Sequence, residues 1–219
     1  MVNAKKSFWQ ALIFTIVVFG IGIILGFFFE VSRTNSVEIA SIGSETNLLD
    51  QELRTRASEH FNFSCEDSAE SLFRFADLIY REARQLERYG QASKFSETID
   101  LLHRRYDLLR TMLWIESIET KKKCGNVFHT VVYLYDYNTE DVDVKAKQVF
   151  FSRVLGDVKE ANPQDILLIP IAEDTGLESV RVITQKFSIE NYPVIIIDEK
   201  LLVYEIDDFG EFERLVLNG

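Results

Sequence analysis

The sequence is poor in the residues that form linkers, metal sites and nucleic-acid interfaces. Its 219 residues include only 3 prolines, 10 glycines and 3 histidines, which argues against long proline- or glycine-rich linkers. The histidines, His60, His103 and His129, stand too far apart in the sequence for a zinc-binding spacing. Acidic residues outnumber basic ones: the sequence has 35 Asp and Glu but only 24 Lys and Arg, for a formal net charge of −11. No basic stripe reverses that charge locally, so we expect no binding to nucleic acid.

The familiar catalytic motifs are absent as well. The sequence contains no Gly-rich phosphate loop, no Gly-x-Ser-x-Gly and no credible Ser-His-Asp set. Glu140, Asp141 and Asp143 lie close together, but the glycine and the distal glutamate of a calcium-binding loop are missing. We therefore expect no catalytic residue of these classes, no cofactor and no metal ion.

One long apolar run stands out against this charged background. Residues 8–29 contain no charged side chain, and at about 1.5 Å rise per residue such a helix spans the roughly 30 Å hydrocarbon core of a bilayer. A cleaved signal peptide has a shorter apolar region that ends at small residues, whereas this run ends in three phenylalanines. The sequence predicts an uncleaved single-pass anchor, with residues 8–29 in lipid and residues 1–30 as the first domain.

The charges that flank this run predict its orientation. Lys5 and Lys6 precede it, whereas Arg33 follows it beside Glu30. By the positive-inside rule the amino terminus is cytoplasmic and everything after Glu30 is extracytoplasmic. Gly22 and Gly26 lie one helical turn apart and would let two such helices approach closely, so a homodimer through these glycines is a further expectation.

The next hundred residues have a helical pattern. Residues 31–64 predict a juxtamembrane linker with a short helix over Leu48–Ala57, and residues 65–124 predict a helical hairpin. Its two helices, Glu66–Tyr89 and Phe95 to about Glu119, carry apolar residues at spacings of three and four. Because only a few residues join them, we expect the two helices to fold back on each other as an antiparallel pair.

Both cysteines of the sequence flank this hairpin. Cys65 lies just before the first helix and Cys124 just after the second, so a disulfide would close the base of the hairpin. In the chain-entropy account, closing a loop of this length contributes about 4 kcal/mol. Two unpaired thiols and a functional redox pair are the alternatives. The triplet Asn62-Phe63-Ser64 is an N-glycosylation sequon, which is used only if this region is extracytoplasmic.

Residues 125–219 alternate between strand and helix patterns. Apolar, β-branched strands are predicted over Val127–Tyr137, Asp165–Ile171, Tyr192–Asp198 and Leu201–Ile206, and helices over Val144–Glu160, Leu177–Phe187 and Phe209–Leu217. A strand-helix-strand half joined to a strand-strand-helix half makes an α/β domain with a mixed sheet and helices on both faces. In the first of these helices, Val149 and Phe150 are expected to face the sheet.

This domain resembles the thioredoxin-like superfamily. The resemblance is most specific in Lys186-Phe187-Ser188-Ile189-Glu190-Asn191-Tyr192-Pro193, followed by the apolar strand Val194–Ile197, where a helix ends, the chain turns and a cis-proline precedes a strand. It implies a thioredoxin-like mixed sheet and a cis bond at Pro193. It also implies that two loops receive an extended polypeptide by strand addition. The corresponding positions here are Asn138, Thr139, Val142, Tyr192 and Pro193.

The resemblance breaks down at the redox centre. Between the first strand and the next helix, where a thioredoxin carries Cys-x-x-Cys, residues 138–145 contain no cysteine. Asp141 and Asp143 stand there instead, and carboxylates stabilise a helix start. Because the thiolate is the nucleophile, exchange of the thioredoxin kind cannot occur at this position.

The interpretation that follows is a membrane-anchored, non-catalytic thioredoxin-like protein that acts as a protein-binding or scaffolding module outside the cytoplasm. One alternative is a thiol-disulfide oxidoreductase that uses Cys65 and Cys124 as its redox pair. The other is a structural assembly protein built on the helical hairpin.

Overall fold

The structure, a computed structural model, describes residues 4–61, 63–90 and 96–218. Asn62 of the sequon and Phe95 lie outside these ranges. The elements are α1 (Ala4–His60), α2 (Cys65–Gly90), α3 (Ser96–Cys124), β1 (His129–Tyr135), α4 (Val142–Ala161), β2 (Ile166–Ala172), α5 (Glu178–Lys186), β3 (Val194–Ile197), β4 (Leu201–Val203) and α6 (Phe209–Asn218). The chain forms two units, Met1–Glu52 and Leu53–Gly219.

Helix α1 as far as Glu52 forms the first unit, which contains the predicted membrane anchor. Its segment Phe8–Phe29 is 22 residues long and apolar enough to cross a membrane, and none of it is buried within the protein. The prediction of a linker with a short helix over residues 31–64 is wrong, because α1 continues without a break to His60. No proline interrupts this stretch, and its only glycine, Gly43, costs a helix about 1 kcal/mol relative to alanine. That cost is too small to end the helix.

The second unit begins at Leu53, in the last turns of α1, and continues with the predicted hairpin. Helices α2 and α3 pack on each other, and the Cys65–Cys124 disulfide joins the first residue of α2 to the last residue of α3, with 5.5 Å between their Cα atoms. The helices are therefore antiparallel, and the predicted pairing of the cysteines is confirmed. The facing apolar residues of the two helices are buried: Leu72, Phe75, Ile79, Leu102, Tyr106, Leu109 and Leu113.

The four strands form one mixed sheet in the order β2-β1-β3-β4. Strand β1 pairs in parallel with β2 and antiparallel with β3, and β3 pairs antiparallel with β4. Strands β1 and β3 are central and almost wholly buried, because they are covered on both faces. The predicted α/β class, with a mixed sheet flanked by helices, is confirmed.

Each face of the sheet has its own helical cover. Helices α4 and α6 pack on the face that carries Val131, Tyr133, Ile195 and Ile197. Successive strand residues point to opposite faces, and the hairpin helices contact β1 and β2 from the other side, with α5 against α3. The predicted boundary between a hairpin at 65–124 and a domain at 125–219 therefore does not divide the structure. Both ranges share one unit, since the sheet uses the hairpin to cover its second face.

The buried face of α4 differs from the prediction. Val149 and Phe150 are 62% and 47% exposed, whereas Phe151, Val154 and Val158 are buried. Spacings of three and four from Phe151 place these residues, together with Leu155, over the sheet. The adjacent apolar residues Val149, Phe150 and Phe151 left this helix face ambiguous in the sequence.

A cluster of charged side chains attaches α3 to the sheet at the amino end of β1. We call it the Asp198 cluster: Trp114, Lys121, His129, Asp198 and Glu199. The Lys121 Nζ donates to Asp198 Oδ1 at 2.9 Å and to Glu199 Oε2 at 2.7 Å. The Trp114 Nε1 donates to Glu199 Oε1 at 2.9 Å, and His129 Nδ1 lies 2.7 Å from Asp198 Oδ2. The last turns of α3 are thereby joined to the turn between β3 and β4.

The turn between β3 and β4 has a backbone conformation that is unfavourable for residues other than glycine, and its side-chain contacts offset this cost. Asp198 and Glu199 both have positive φ angles, 49° and 58°, and the Lys200 N–H donates to the Ile197 carbonyl. Two left-handed residues match the twist of a tight hairpin, but each costs a non-glycine residue roughly 1–2 kcal/mol. The contacts of both side chains with α3 offset this cost, and glycines could not make them.

Candidate protein-binding site at the carboxyl end of β1

The carboxyl ends of β1 and β2 meet at one edge of the sheet because these strands are parallel. The Glu173 N–H donates to the Tyr135 carbonyl at 2.9 Å, directly beyond the paired residues. Asp174 then accepts the N–H groups of Tyr137 and Asn138, one on each carboxylate oxygen and both at 2.7 Å. The loop that follows β1 is thus held by the loop that follows β2. We call this arrangement, Asp136 to Asn138 with Glu173 and Asp174, the Asp174 corner.

The predicted binding loop leads from this corner into helix α4. Asp141 is the N-cap residue, and its Oδ1 accepts the N–H groups of Asp143 and Val144 at 2.9 and 3.2 Å. The carboxylate therefore acts as a helix cap, which is the structural role expected from the sequence. Of the predicted binding residues in this loop, Asn138 is exposed and Thr139 is half-buried. Val142 is 76% exposed, an apolar side chain presented to solvent at the helix start.

The other predicted loop approaches the same edge from β3. The Tyr192–Pro193 peptide bond is cis, and Val194, the next residue, pairs with Leu134 of β1. Pro193 is buried and Tyr192 is half-buried. Among the described residues, the main-chain N–H and carbonyl of Tyr192 have no hydrogen-bond partner. A strand end with unpaired backbone groups can pair with an added segment.

A side-chain network connects the two loops. The Tyr192 hydroxyl and Glu173 lie close enough to affect each other's pKa, and so do Glu173 and Asp136. The loop carrying Asn138 and the turn carrying Tyr192 thus meet through Glu173 and Asp174, with no direct hydrogen bond between Asn138 and Tyr192 in the described structure. The structure brings all five predicted residues to one edge of the sheet.

The carboxylates of this edge shift one another's proton affinity. Burial, followed by the charge of Asp174, raises the pKa of Asp136. Burial also raises the pKa of Glu173, with further contributions from the charges of Asp136 and Asp174. Burial and the Glu173 charge raise the pKa of Tyr192 to about 12. The edge is therefore strongly negative and would favour an approaching cation.

A buried aspartate of α3 lies beneath the corner. Asp107 Oδ1 accepts from Arg110 Nη1 at 3.1 Å and from the Ala172 N–H at 3.3 Å. Its Oδ2 is buried and has no partner in the described structure. Burial raises the pKa of Asp107 from 3.8 to about 6 against the opposing effect of Arg110, and the charge of Asp174 adds to the rise. Asp107 ties α3 to the end of β2.

Sequence reasoning missed Asp136, Glu173 and Asp174. A usable signal was present, because Glu173 and Asp174 follow the predicted strand Asp165–Ile171 and Asp136 is the next-to-last residue of the predicted strand Val127–Tyr137. Ligand sites of parallel sheets form where such strand ends meet. No group of three or more His, Cys, Asp or Glu side chains able to hold a metal ion occurs within the described ranges.

The two cysteines lie at the opposite end of β1. Cys124 precedes β1, whereas the Asp174 corner follows it, and seven residues of strand span about 20–25 Å. The disulfide and the predicted binding loops are thus separate features.

Comparison of the chain with protein-family models, with curated proteins and with solved structures gives no match.

Proposed function

We propose that this protein is a membrane-anchored, non-catalytic module of thioredoxin-like fold that binds an extended segment of a partner protein outside the cytoplasm. The binding surface consists of Asn138, Thr139 and Val142 on one loop and Tyr192 and Pro193 on the other. The single observation that carries the proposal is the unpaired main chain of Tyr192 beside these loops.

The anchor and the flanking charges support the location. Phe8–Phe29 has the length and composition of a membrane-spanning helix, and Lys5 and Lys6 precede it. The positive-inside rule then assigns the amino terminus to the cytoplasm and the second unit to the other side. A disulfide is typical of that oxidising side.

The order of the elements supports the fold assignment. The second unit has the strand-helix-strand half (β1, α4, β2) and the strand-strand-helix half (β3, β4, α6) that the resemblance implies. The sheet order, with β1 central and parallel to β2, suits such a fold. Because both cysteines are joined at the other end of β1, no thiol is available at the corner, and binding without exchange chemistry is the role that remains.

The geometry of the edge favours an extended segment. The N–H and carbonyl of Tyr192 point to backbone pairing of the kind made in strand addition. Val142 offers an exposed apolar contact next to this pairing site, and the loop between them is fixed by Asp174. A rigid loop lowers the entropy that is lost on binding.

Crosslinking from defined positions would test the proposal. A photoreactive amino acid would replace Val142 in the full-length protein in its native membrane, and the same residue would replace Val149 as a control. Both valines are largely exposed, at 76% and 62%, and both lie on α4. We expect a discrete crosslinked polypeptide from position 142 and none from position 149, because Val142 begins α4 directly after the predicted binding loop, whereas Val149 lies about two turns farther along the helix.

Hydrogen exchange of the complex is the second test of the proposed binding mode. Strand addition requires that the Tyr192 amide become protected when the crosslinked partner, or a peptide derived from it, is bound. Equal crosslinking from positions 142 and 149, or an unprotected Tyr192 amide in the complex, would contradict the proposed mode.

A further inference from the structure

A cavity of about 750 Å³ lies beside the disulfide, in the second unit and far from the proposed binding edge. Its volume falls within the roughly 300–1,000 Å³ that small-molecule sites occupy. Cys65 and Cys124 both form part of its wall, with Phe61 and Phe63 on the connection between α1 and α2. These phenylalanines are 66% and 50% exposed. The disulfide is therefore reachable by a molecule that enters the cavity.

The two sulfurs have different surroundings. Cys65 is exposed and is the first residue of the 26-residue helix α2, whereas Cys124 is half-buried and is the last residue of α3. A helix amino terminus stabilises a thiolate, and a carboxyl terminus does not. Glu66 and Asp67 in the first turn of α2 oppose this effect. Lys121, Lys122 and Lys123 in the last turn of α3 favour a thiolate at the neighbouring Cys124.

We propose that this cavity admits a low-molecular-weight thiol and that the Cys65–Cys124 disulfide is a site of reversible thiol modification. The thiolate of the entering molecule attacks Sγ of the exposed Cys65, and the Cys65–Cys124 bond breaks with its electron pair on Sγ of Cys124. The product is a mixed disulfide on Cys65 and a free thiolate at Cys124, with no net oxidation or reduction. Attack by a second thiol molecule on the mixed disulfide releases Cys65, so two electrons pass from two small thiols to the protein.

The assignment rests on access and on the leaving group. Exchange requires that the attacking sulfur reach the disulfide, and the thiol of lower pKa leaves faster. The cavity and the exposure of Cys65 supply the access, and the lysines in the last turn of α3 favour Cys124 as the leaving thiolate. Opening the bond frees the last turn of α3 from α2, so the thiol poise of the compartment would control how firmly the base of the hairpin is closed. This inference is independent of the Tyr192 site.

The test uses the full-length protein in detergent micelles, with glutathione as the probe. After incubation the free thiols are alkylated, and peptide mapping by mass spectrometry locates the adduct. We expect one glutathione on Cys65 and an alkylated Cys124, without denaturant. An adduct that forms only in denaturant, or that is found mainly on Cys124, would overturn the proposal.

Matched substitutions test the route through the cavity. Ser71→Phe fills the cavity from α2 and Thr120→Phe fills it from α3, whereas Ser152→Phe places the same side chain on the exposed surface of α4. Because exchange depends on access, the exchange rate of each cavity variant should fall to about one tenth of the wild-type rate or lower. Ser152→Phe should react at the wild-type rate. Thermal unfolding of each variant verifies that it is folded. Equal rates in folded cavity variants and wild type would also overturn the proposal.

Discussion

Asp198 and Asp107 are both almost completely buried, with side chains 5% and 1% exposed, yet their pKa values move in opposite directions. Burial alone would raise the pKa of Asp198, but the Thr130 N–H, His129 and Lys121 outweigh it and hold the pKa below its ordinary value. In Asp107, burial dominates and raises the pKa to about 6. The difference lies in the partners, since both oxygens of Asp198 accept hydrogen bonds, whereas Oδ2 of Asp107 has no partner in the described structure.

The two ends of the sheet therefore differ in how their buried carboxylates affect stability. The Asp198 cluster is a paired network at the amino end of β1, where the ionised carboxylate stabilises the fold. At the carboxyl end, Asp107 carries a charge that destabilises the fold, and the Asp174 corner above it adds further negative charge. Stability is therefore concentrated at the amino end and electrostatic strain at the carboxyl end, where the proposed partner binds.

Removal of the Asp198 carboxylate should have the largest effect on stability. In Asp198→Ala, the Lys121 ammonium and the Thr130 N–H lose an acceptor in a buried setting. Breaking a buried pair in this way costs about 3–5 kcal/mol. Denaturant unfolding of the detergent-solubilised protein, followed by Trp114 fluorescence in a Trp9→Phe background, measures this loss. Trp114 is well placed as a probe because its ring stacks on Phe187 with centroids 5.7 Å apart.

Asp157→Ala is the matched control, because Asp157 is exposed on α4 and surface substitutions usually change stability by less than about 0.5 kcal/mol. A loss in Asp198→Ala no greater than in this control would show that the Asp198 cluster does not hold α3 to the sheet. The Asp198 carboxylate would then not be a stabilising counterpart of Asp107.

The titration of Asp107 should have the next largest effect. A carboxyl group whose pKa is raised from 3.8 unfolded to about 6 folded binds its proton more tightly in the folded state. Its contribution to stability therefore increases as pH falls from 8 through 6. For this shift the gain between pH 8 and pH 5 is about 1–2 kcal/mol. We expect this gain in wild type and its loss in Asp107→Asn, which keeps the side-chain shape but cannot titrate.

The relevant measurement is the difference between the two pH profiles of unfolding free energy. Asp136, Glu173 and the other carboxyl groups titrate in both proteins and cancel in that difference, whatever the absolute stability of Asp107→Asn. Parallel profiles between pH 8 and pH 5 would show that the Asp107 charge is compensated in the folded protein. The contrast with Asp198 would then be lost.

The secondary structure of the second unit was largely predictable from sequence, whereas its buried charges were not. Apolar spacing located β1 through the residues around Val132, and the stripe ending at Leu113 located α3, because both are periodic patterns over many residues. Asp107 sits within that same helix and resembles an ordinary solvent-facing charge, since nothing local shows that β2 will pack against it. Its burial depends on a tertiary contact with Ala172, which is 65 residues away.

The candidate site was predictable only in part, for a similar reason. Tyr192, Pro193 and Val142 were all identified by the family resemblance. Asp174 holds the loop through two backbone N–H groups, and such a contact requires the strand pairing to be known. The continuous helix to His60 was missed because the polar residues after the membrane segment resemble a linker. The same residues are equally compatible with a helix, since no proline interrupts them.

His129→Ala should have the smallest effect. His129 contributes one of the three partners of Asp198, and its side chain is 20% exposed, so water can replace it at Oδ2. Lys121 and the Thr130 N–H still occupy Oδ1, and the carboxylate stays ionised at neutral pH. A partly exposed hydrogen bond is worth about 1 kcal/mol or less, which unfolding measurements resolve against Asp198→Ala. If His129→Ala matched the full loss of Asp198→Ala, the histidine rather than Lys121 would be the main partner of Asp198.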